Sequence, residues 1–478
     1  MTVPKSNNQS SLPTSDSTAS YWHRSPSKKL LGHRTTPSLP TKADLVIVGS
    51  GIAGASAAHF LSQDDLGKDL DVVMLEAREA CWGATGRNGG HCQPMVFGSR
   101  PDIAAFELRN YEVLKKMVEE NGIECEWRSV RGCHAYSDVK MFEADIKHLE
   151  VLQQDAPDLA KQVAVVTKES TDPSLEDLRV STAVGAFVQE NAASLWPYKL
   201  VCWMLENLLF NSETKLNLQT KTPVTRLQKV QDGSWMVHTD RGMIATKKVL
   251  LTTNAYTSRL LPQFSDLIVP VQGEMSALLP PSAMSPKSST HKPLQHSYGF
   301  MGYDNVKMIY TSDYLIQRPF SSSSSDVESG GELMFGGGRQ LGAQAGIGIS
   351  DDSFISEPVA SYLRRELVSA LDLQTGPEVS ELEATYEWSG IMGYSRDGRP
   401  WVGEVSEELG GEEGLFLCAG FTGHGMPNAC LSAKGAVDLM LGKEEVDVPK
   451  SDRISAGRLL EVRGGDEVGV KDMKGFYV

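Results

Sequence analysis

Two short apolar runs, separated by a glycine-rich turn and a run of small residues, mark where the patterned part of the chain begins. Residues 44–49 read DLVIVG and residues 71–76 read DVVMLE. Short β-branched runs of this kind are typical of strands that are buried on both faces. Between them, residues 51–63 are rich in alanine and are predicted to form a helix. Two parallel strands joined by a helix make a βαβ unit, so the pattern predicts an α/β fold.

Hydrophobic spacing predicts further elements of both kinds along the rest of the chain. The helices are predicted over 101–120, 140–154, 197–210 and 353–372. The strands are predicted over 223–229, 234–239, 248–252, 296–303, 306–311, 313–318 and 332–336. A closing strand, loop and helix are predicted over 415–440. The serine tract at 321–325 indicates a mobile hairpin tip.

The composition is that of a globular protein with several structural units. The chain has 478 residues, of which 40% are hydrophobic and 22% are charged, enough for a sizeable core. A net charge of −15 argues against a general nucleic-acid binder. The seven cysteines include no CxxC pair and their number is odd. This favours a reducing compartment, which we expect to be the cytoplasm, and it predicts no metal site.

The first 43 residues differ from the remainder in charge. They carry six basic residues against Asp16 alone. Serines and basic residues are also typical of transit peptides, which leaves an organelle open, but three prolines disfavour a long amphipathic helix. Tyr21 and Trp22 instead indicate an arm that packs on the body after a disordered start.

The uncharged stretch from Leu45 to Gln63 is long enough to span a bilayer. However, three glycines, three serines, a histidine and a glutamine make it a poor lipid-facing helix. We therefore expect no membrane span.

The strongest local motif is the glycine pattern between the first predicted strand and helix. Gly49 suits the tight turn, Gly51 allows close approach of a pyrophosphate, and Gly54 allows close packing of helix on strand. Glu76 ends the next strand, 22 residues after Gly54, where a carboxylate can accept both ribose hydroxyls. This context predicts FAD or NAD rather than NADP, while the alternative is a glycine turn with a surface glutamate.

Residues 83–90 read GATGRNGG, which is too rich in glycine for ordinary packing. Such a backbone can lie against a flat ring system, which favours FAD over NAD.

From these motifs the chain resembles the FAD-dependent D-amino acid oxidase/glycine oxidase superfamily, in the branch that contains gamma-glutamylputrescine oxidoreductase. The likeness begins at DLVIVGSGIAGASAAHFL and continues through VVMLEAREACWGATGRNGGHCQP. It returns at TTNAY (252–256), at WSGIMGYSRDGRP (388–400) and at GFTGHGM (420–426). The resemblance therefore covers nearly all of residues 44–445.

The resemblance implies a set of FAD-binding residues. The pyrophosphate turn would comprise Gly49, Gly51, Ile52, Ala53 and Gly54. The adenosine end would be held by Glu76, Ala77, Arg78 and Val224. The isoalloxazine and ribityl chain would be lined by Gly83, Ala84, Thr85, Arg87, Asn88, Gly89 and Gly90. Segments returning to the cofactor would contribute Thr253, Asn254, Ala255, Gly393, Gly423, His424, Gly425 and Met426.

The chain departs from the family pattern at two places. A cysteine that tethers FAD in some relatives is missing before Tyr310-Thr311, so non-covalent FAD is expected. Cys92 follows the flavin loop and is either a buried structural thiol or a residue near the ring. The family often has an arginine where this chain has Gln272, which weakens the case for a substrate held by its carboxylate and favours amines without an α-carboxylate. The alternative is that another cation, Arg318 or Arg339, binds the carboxylate of an α-amino acid.

Four residues are candidates for the chemistry. His91 and His424 either orient substrate and tune the flavin or are structural hydrogen bonders, because this chemistry needs no protein base. Tyr314 and Trp388 are candidate walls of an amine pocket, and the alternative for each is an ordinary core position.

The resemblance implies a Rossmann-type FAD-binding domain and a second α+β substrate domain on a mixed or antiparallel sheet. The reaction would oxidise a CH–NH bond of a small-molecule amine to an imine, with O2 or another electron acceptor. A dehydrogenase or tailoring enzyme for a larger metabolite, and a flavin-binding protein without turnover, stay open. The expected divisions are an N-terminal arm, partly disordered (1–43), the FAD-binding domain (44–122, 185–262, 386–445), the substrate domain (123–184, 263–385) and a C-terminal tail (446–478).

Overall fold

The computed structural model describes residues 9–464 except 213, 285–291, 307–308, 321–329 and 375–378. The serine tract at 321–325 lies outside the described residues. The strands are β1 (Leu45–Val48), β2 (Val72–Leu75), β3 (His91–Cys92), β4 (Arg128–Tyr136), β5 (Val163–Val166), β6 (Gly185–Ser194), β7 (Leu216–Gln219), β8 (Val224–Lys229), β9 (Trp235–Thr239), β10 (Gly242–Thr246), β11 (Lys248–Leu251), β12 (Ile268–Leu278), β13 (His296–Asp304), β14 (Ile309–Gln317), β15 (Leu333–Gly336), β16 (Ala384–Ser395), β17 (Trp401–Glu404) and β18 (Leu415–Ala419). The helices are α1 (Ile52–Gln63), α2 (Pro101–Asn121), α3 (Val139–Asp155), α4 (Pro157–Ala160), α5 (Pro197–Phe210), α6 (Thr257–Leu260), α7 (Glu357–Ala370), α8 (Ala429–Met440) and α9 (Ala456–Gly464).

A six-stranded sheet in the order β17-β18-β11-β1-β2-β7 forms the first half of the fold. The five strands from β18 to β7 in this order are parallel, and the edge strand β17 is antiparallel to β18. Side chains alternate between its two faces. Leu45 and Ile47 pack with α1, α5 and α8, whereas Val46 and Val48 pack with the three-stranded antiparallel sheet β10-β9-β8. Burial on both faces explains why β1 is apolar throughout.

A nine-stranded mixed sheet forms the second half. Its order is β16-β12-β15-β14-β13-β4-β6-β3, with β5 paired to β6. The pairing of β13 with β4 is parallel, and the other described pairings are antiparallel. These two sheets confirm the predicted α/β class, with a Rossmann-type unit beside a mixed sheet.

The expected domain limits are wrong at two strands. Residues 185–194 and 386–395 were assigned to the FAD-binding domain, but β6 pairs with β4 and β5, and β16 pairs with β12. Both strands therefore belong to the nine-stranded sheet. Their partners are distant in sequence, so the local pattern could not assign the sheet.

Two elements in the middle of the chain also differ from expectation. Two strands are predicted over 306–311 and 313–318, but the structure has one, β14 (Ile309–Gln317); residues 307 and 308 lie outside the described residues. Asp313 is buried within β14, where it accepts hydrogen bonds from Gly338 N (2.7 Å) and the Tyr362 hydroxyl (2.6 Å), so this polar residue does not mark the start of a new strand. The helix predicted over 353–372 begins only at Glu357, with Pro358 in its first turn.

Both ends of the described chain are packed on the body. In the N-terminal arm, Tyr21, Trp22 and Leu30 are buried. The expected C-terminal tail contains α9, and Arg458 there binds the Asp397 carboxylate through Nε at 2.9 Å. Within the described ranges, no helix is both long enough and apolar enough to cross a bilayer.

Candidate active site

A cavity lies where the carboxyl ends of the parallel strands meet the nine-stranded sheet. It brings together most of the cofactor residues predicted from the sequence. These are Gly49, Gly51, Ile52, Ala53, Glu76, Ala77, Arg78, Gly83, Ala84, Thr85, Arg87, Asn88, Gly89, Val224, Thr253, Asn254, Ala255, Gly423, His424, Gly425 and Met426. His91 and Tyr314, from the nine-stranded sheet, line the same cavity.

The glycine turn has the backbone that the motif predicts. Gly49 has φ of +110°, a conformation that side-chain-bearing residues rarely adopt. A Cβ at Gly54 would overlap the Gly49 carbonyl, so this glycine serves close packing of α1 on β1. No side chain caps α1 at Gly51, and Ile52 N donates to Thr85 Oγ1 at 3.1 Å. The first turn of α1 thus faces the cavity in the manner that suits a phosphate.

Glu76 ends β2 at the cavity and is 9% exposed. Its Oε2 accepts from Ser50 N (3.0 Å) and Ser50 Oγ (2.6 Å), and its Oε1 accepts from Arg78 N (2.9 Å). Three of about four acceptor directions of the carboxylate are therefore used within the protein. The role of Ser50 was missed from the sequence, where it stands as the variable residue within the glycine motif.

The two arginines of this region bind a shared carboxylate. Arg78 Nη1 lies 3.0 and 2.9 Å from the two oxygens of Asp352, and Arg87 Nε lies 3.3 Å from Asp352 Oδ2. Asp352 is 0% exposed. Burial lowers the pKa of Arg87 to about 10 despite Asp352, which still leaves this arginine charged at neutral pH. The two guanidinium groups are thus engaged mainly in ion pairs between loops, which leaves them less available to a ligand in the cavity.

Trp388 does not line the cavity, contrary to its candidate role as a pocket wall. It is 0% exposed, and its Nε1 donates to the Arg87 carbonyl at 2.8 Å. Trp388 therefore positions the loop at 83–90 through the Arg87 carbonyl, from outside the cavity.

Three predicted cofactor glycines also lie outside the cavity lining. Gly54 has the packing role given above. A Cβ at Gly90 would lie 2.6 Å from the Trp22 ring, and one at Gly393 would lie 2.6 Å from Asn254 Oδ1. These positions require glycine because other parts of the chain approach them closely.

His424 is paired with a buried carboxylate. Its Nε2 lies 3.0 Å from Glu107 Oε2, and Asn428 Nδ2 donates to Glu107 Oε1 at 3.0 Å. Burial alone would lower the pKa of His424, but the charge and hydrogen bond of Glu107 raise it above the usual value. Glu107 was missed from the sequence. The available signal was an acidic residue on the apolar face of α2, between Ala104 and Tyr111.

The pKa of His91 is shifted in the opposite direction from that of His424. Burial, followed by the charge of His424, lowers the pKa of His91 to about 4, so this imidazole is neutral at pH 7. Its Nδ1 lies 3.3 Å from Ser297 Oγ, and its ring centroid lies 5.0 Å from that of Tyr314. The Tyr314 ring packs against Gly89, which joins the nine-stranded sheet to the loop at 83–90.

Gln272 does not line the cavity, so its side chain does not indicate how a substrate carboxylate is held. Its Nε2 donates to the Asp351 carbonyl at 2.9 Å. Among the arginines that line the cavity, Arg339 lies 5.0 Å from the Tyr394 ring, and its buried Nη1 has no hydrogen-bond partner among the described residues. Arg318 lies elsewhere and is held by Glu126.

The model of one protein family, described as DAO, FAD dependent oxidoreductase, matches residues 44–439. The chain belongs to this family. It is thus an FAD-dependent oxidoreductase, and the resemblance drawn from its motifs is confirmed. The uncapped turn at α1 and the glycine-lined cavity fit the phosphates and flat ring of FAD.

Curated relatives and solved structures agree with the assignment. The chain is 22% identical over 432 residues to "Probable oxidoreductase OrdL" of Rhizobium meliloti (strain 1021), covering 87% of each chain. It is 22% identical over 423 residues to gamma-glutamylputrescine oxidoreductase of Escherichia coli (strain K12), covering 84% of each. The fold is similar to that of glycine oxidase from Geobacillus kaustophilus, with a TM-score of 0.67, 19% identity, and coverage of 87% of this chain and 99% of that one.

We predict that Glu76→Ala weakens FAD binding by roughly 10–150-fold, because a charge-assisted hydrogen bond to the ribose is worth about 1.5–3 kcal/mol. Titration of the apoprotein with FAD, followed by flavin fluorescence, measures this. Asp65→Ala, an exposed change after α1, is the matched control. An unchanged affinity of the Glu76 variant would contradict the ribose role.

We also predict that acid precipitation releases all of the FAD. Lys307 and Met308 of the stretch that lacks the tethering cysteine lie outside the described residues. All seven cysteines are buried and free, and none lines the cavity. Cys92 lies in β3, opposite Ala193 in the antiparallel pairing of β3 with β6. Absorbance of supernatant and pellet gives the result, and flavin that stays with the polypeptide would show a covalent link.

Proposed function

We propose that the enzyme oxidises the CH–NH bond of a small amine or amino acid derivative to an imine, which water hydrolyses. The observation that carries this proposal is one cavity that joins the FAD site to a pocket walled by Tyr314, His91 and Arg339. Bound FAD supplies the acceptor for the hydride that leaves the substrate carbon, and the nitrogen loses a proton. The names of two similar proteins, gamma-glutamylputrescine oxidoreductase and glycine oxidase, support a substrate of this class.

The protein's main tasks are then orientation and exclusion of water. Tyr314 lies against Gly89, so it stands directly beside the backbone that we assign to the flavin. Neutral His91 lies beside Tyr314 with its ring tilted by 32°, and it adds no charge to repel an approaching amine. The reactive substrate is the neutral amine, because a protonated nitrogen has no lone pair to assist loss of hydride.

Arg339 narrows the substrate class. Arg339 lines the cavity, and no ion pair to it occurs among the described residues. Arg318, by contrast, is paired with the Glu126 carboxylate. A buried guanidinium N–H without a partner favours a ligand that accepts a hydrogen bond. We therefore propose that the substrate carries a carboxylate or another anionic group in addition to its amine.

Protonated His424, held by Glu107, would add a positively charged group to the cavity lining. The residues after His424 lead into α8, whose N-terminus also carries partial positive charge. Both would stabilise negative charge that arrives with the hydride. The electron acceptor is O2 or another oxidant, and hydrogen peroxide formation distinguishes the two. The free thiols support a reducing compartment, for which we propose the cytoplasm.

Anaerobic bleaching of the flavin by matched pairs of amines tests the function. The pairs are butylamine against 4-aminobutyrate and N-methylethylamine against sarcosine, which differ mainly in the carboxylate. We expect bleaching by the carboxylate-bearing member to saturate at a lower concentration in each pair. A flavin that no amine bleaches would contradict the proposed function.

Arg339→Met should abolish the advantage of the carboxylate. The apparent Kd for the acidic amine should rise by roughly 10–150-fold, since a hydrogen bond to a charged group contributes about 1.5–3 kcal/mol. Arg365→Met on α7, where the side chain binds Ser361 on its own helix, is the control. Retention of the preference in the Arg339 variant would refute the anionic class but not amine oxidation.

Glu107→Gln should shift the alkaline side of the pH profile. Glu107 raises the pKa of His424, so the variant should lose the cationic imidazole at a lower pH than the wild type. Bleaching rises with pH as the amine is deprotonated and falls as His424 loses its proton. We expect the falling limb to move to lower pH, measured by stopped flow. Identical falling limbs would show that His424 does not govern it.

A further inference from the structure

The arm before the first strand runs along the mouth of the cofactor cavity. It is anchored at its beginning by two serines: Ser10 N donates to Ser258 Oγ at 2.9 Å, and the hydroxyls of Ser11 and Ser350 are 3.0 Å apart. Ser10 is buried despite its place near the start of the described chain. This part of the arm is therefore docked on both the FAD-side helix α6 and the loop before α7.

The next two residues of the arm, Leu12 and Pro13, form part of the cavity wall. The anchor residue Ser258 lies in α6, and the residues after it, Arg259 and Leu260, line the same cavity. Leu260 packs in the core cluster that contains Val224. Leu12 and Pro13 thus cover the end of the cavity that we assign to adenosine.

A second anchor fixes the arm to the charged cluster under the flavin loop. Thr18 N donates to the Asp352 carbonyl at 2.8 Å, and Thr18 Oγ1 accepts from Arg87 Nη2 at 2.6 Å. Ser389 N also donates to Thr18 Oγ1 at 3.0 Å. One threonine therefore connects the arm, the loop at 83–90 and β16.

The third anchor lies on the flavin loop itself. Ser20 Oγ donates to the Gly86 carbonyl at 2.8 Å, and Trp22 Nε1 donates to the Asn88 carbonyl at 2.6 Å. Trp22 is 0% exposed, so this end of the arm is part of the core. The arm is therefore held most firmly from Thr18 onward, while the part that carries Leu12 and Pro13 is held by the hydroxyl contacts of buried Ser10 and exposed Ser11.

We propose that residues 9–16 are a strap that opens for FAD to enter or leave, hinged on the fixed segment at 17–22, where Ser17 Oγ accepts from Arg87 Nη1 at 3.3 Å. The matching family region begins only at residue 44, so the strap is an addition to the common domain. Opening it breaks the contacts of Ser10 and Ser11 and exposes Leu12, whereas the core residue Trp22 stays in place. The strap sets the rate of cofactor exchange and is independent of which amine the enzyme oxidises.

Removal of residues 1–16 is the first test. We expect FAD to dissociate about tenfold faster or more, while the melting temperature of the apoprotein stays that of the full chain because Thr18 to Trp22 remain. Release is followed by the rise of flavin fluorescence on dilution. A dissociation rate equal to that of the full-length holoenzyme would overturn the proposal.

A reversible crosslink is the second test and decides the matter if the shortened chain fails to fold. Ser11→Cys with Ser350→Cys places two thiols where the hydroxyls are 3.0 Å apart, while the seven native thiols are buried. The oxidised holoenzyme should release FAD at least about tenfold more slowly than after reduction, with Ser11→Cys alone as the control. Equal release rates with the disulfide formed would refute the strap.

Discussion

The buried ion cluster of Arg78, Asp352 and Arg87 is the interaction on which the site depends. It connects three segments that are far apart in sequence: the end of β2, the loop at 83–90 and the loop before α7. Asp352 has no access to solvent and both guanidinium groups are buried, so loss of Asp352 would leave two buried cations without their counter-charge, at a cost of about 3–5 kcal/mol. The cluster thereby fixes the nine-stranded sheet against the Rossmann-type unit, and the cavity is the space left between them.

The same cluster explains why an arm outside the common domain reaches the cofactor. Asp352 offers its carbonyl to Thr18, and Arg87 offers a guanidinium N–H to the hydroxyl of the same residue. Trp388 holds the Arg87 carbonyl from the opposite side. The loop at 83–90 is thus held through Arg87 by the arm, by the loop before α7 and by β16. A glycine-rich backbone needs such support, because it has few side chains of its own to hold it in place.

The parts of the site that could be predicted are those whose signal is local. The glycine turn and Glu76 lie within one βαβ unit, where strand, turn and helix follow each other in the sequence. Glu107 and Asp352 could not be found in this way, because each acts through a partner from a distant segment. Arg339 could be named only as an alternative cation beside Arg318, because its place in the cavity depends on segments far from it in the sequence. For the same reason the sequence pattern places β6 and β16 in the FAD-binding domain, although both strands pair within the nine-stranded sheet. Apolar patterns show that a strand is buried but not which strand lies beside it.

Gln272 shows that a residue type at a motif position says little about a site until the partners of its side chain are known. Within β12, the neighbouring residues Gly273, Glu274 and Met275 line the cavity, whereas the Gln272 side chain donates to the Asp351 carbonyl of the loop before α7 at 2.9 Å. That partner lies 79 residues further along the chain, so no local pattern could reveal it. In this protein Arg339, on a short turn after β15, brings a guanidinium group to the cavity instead.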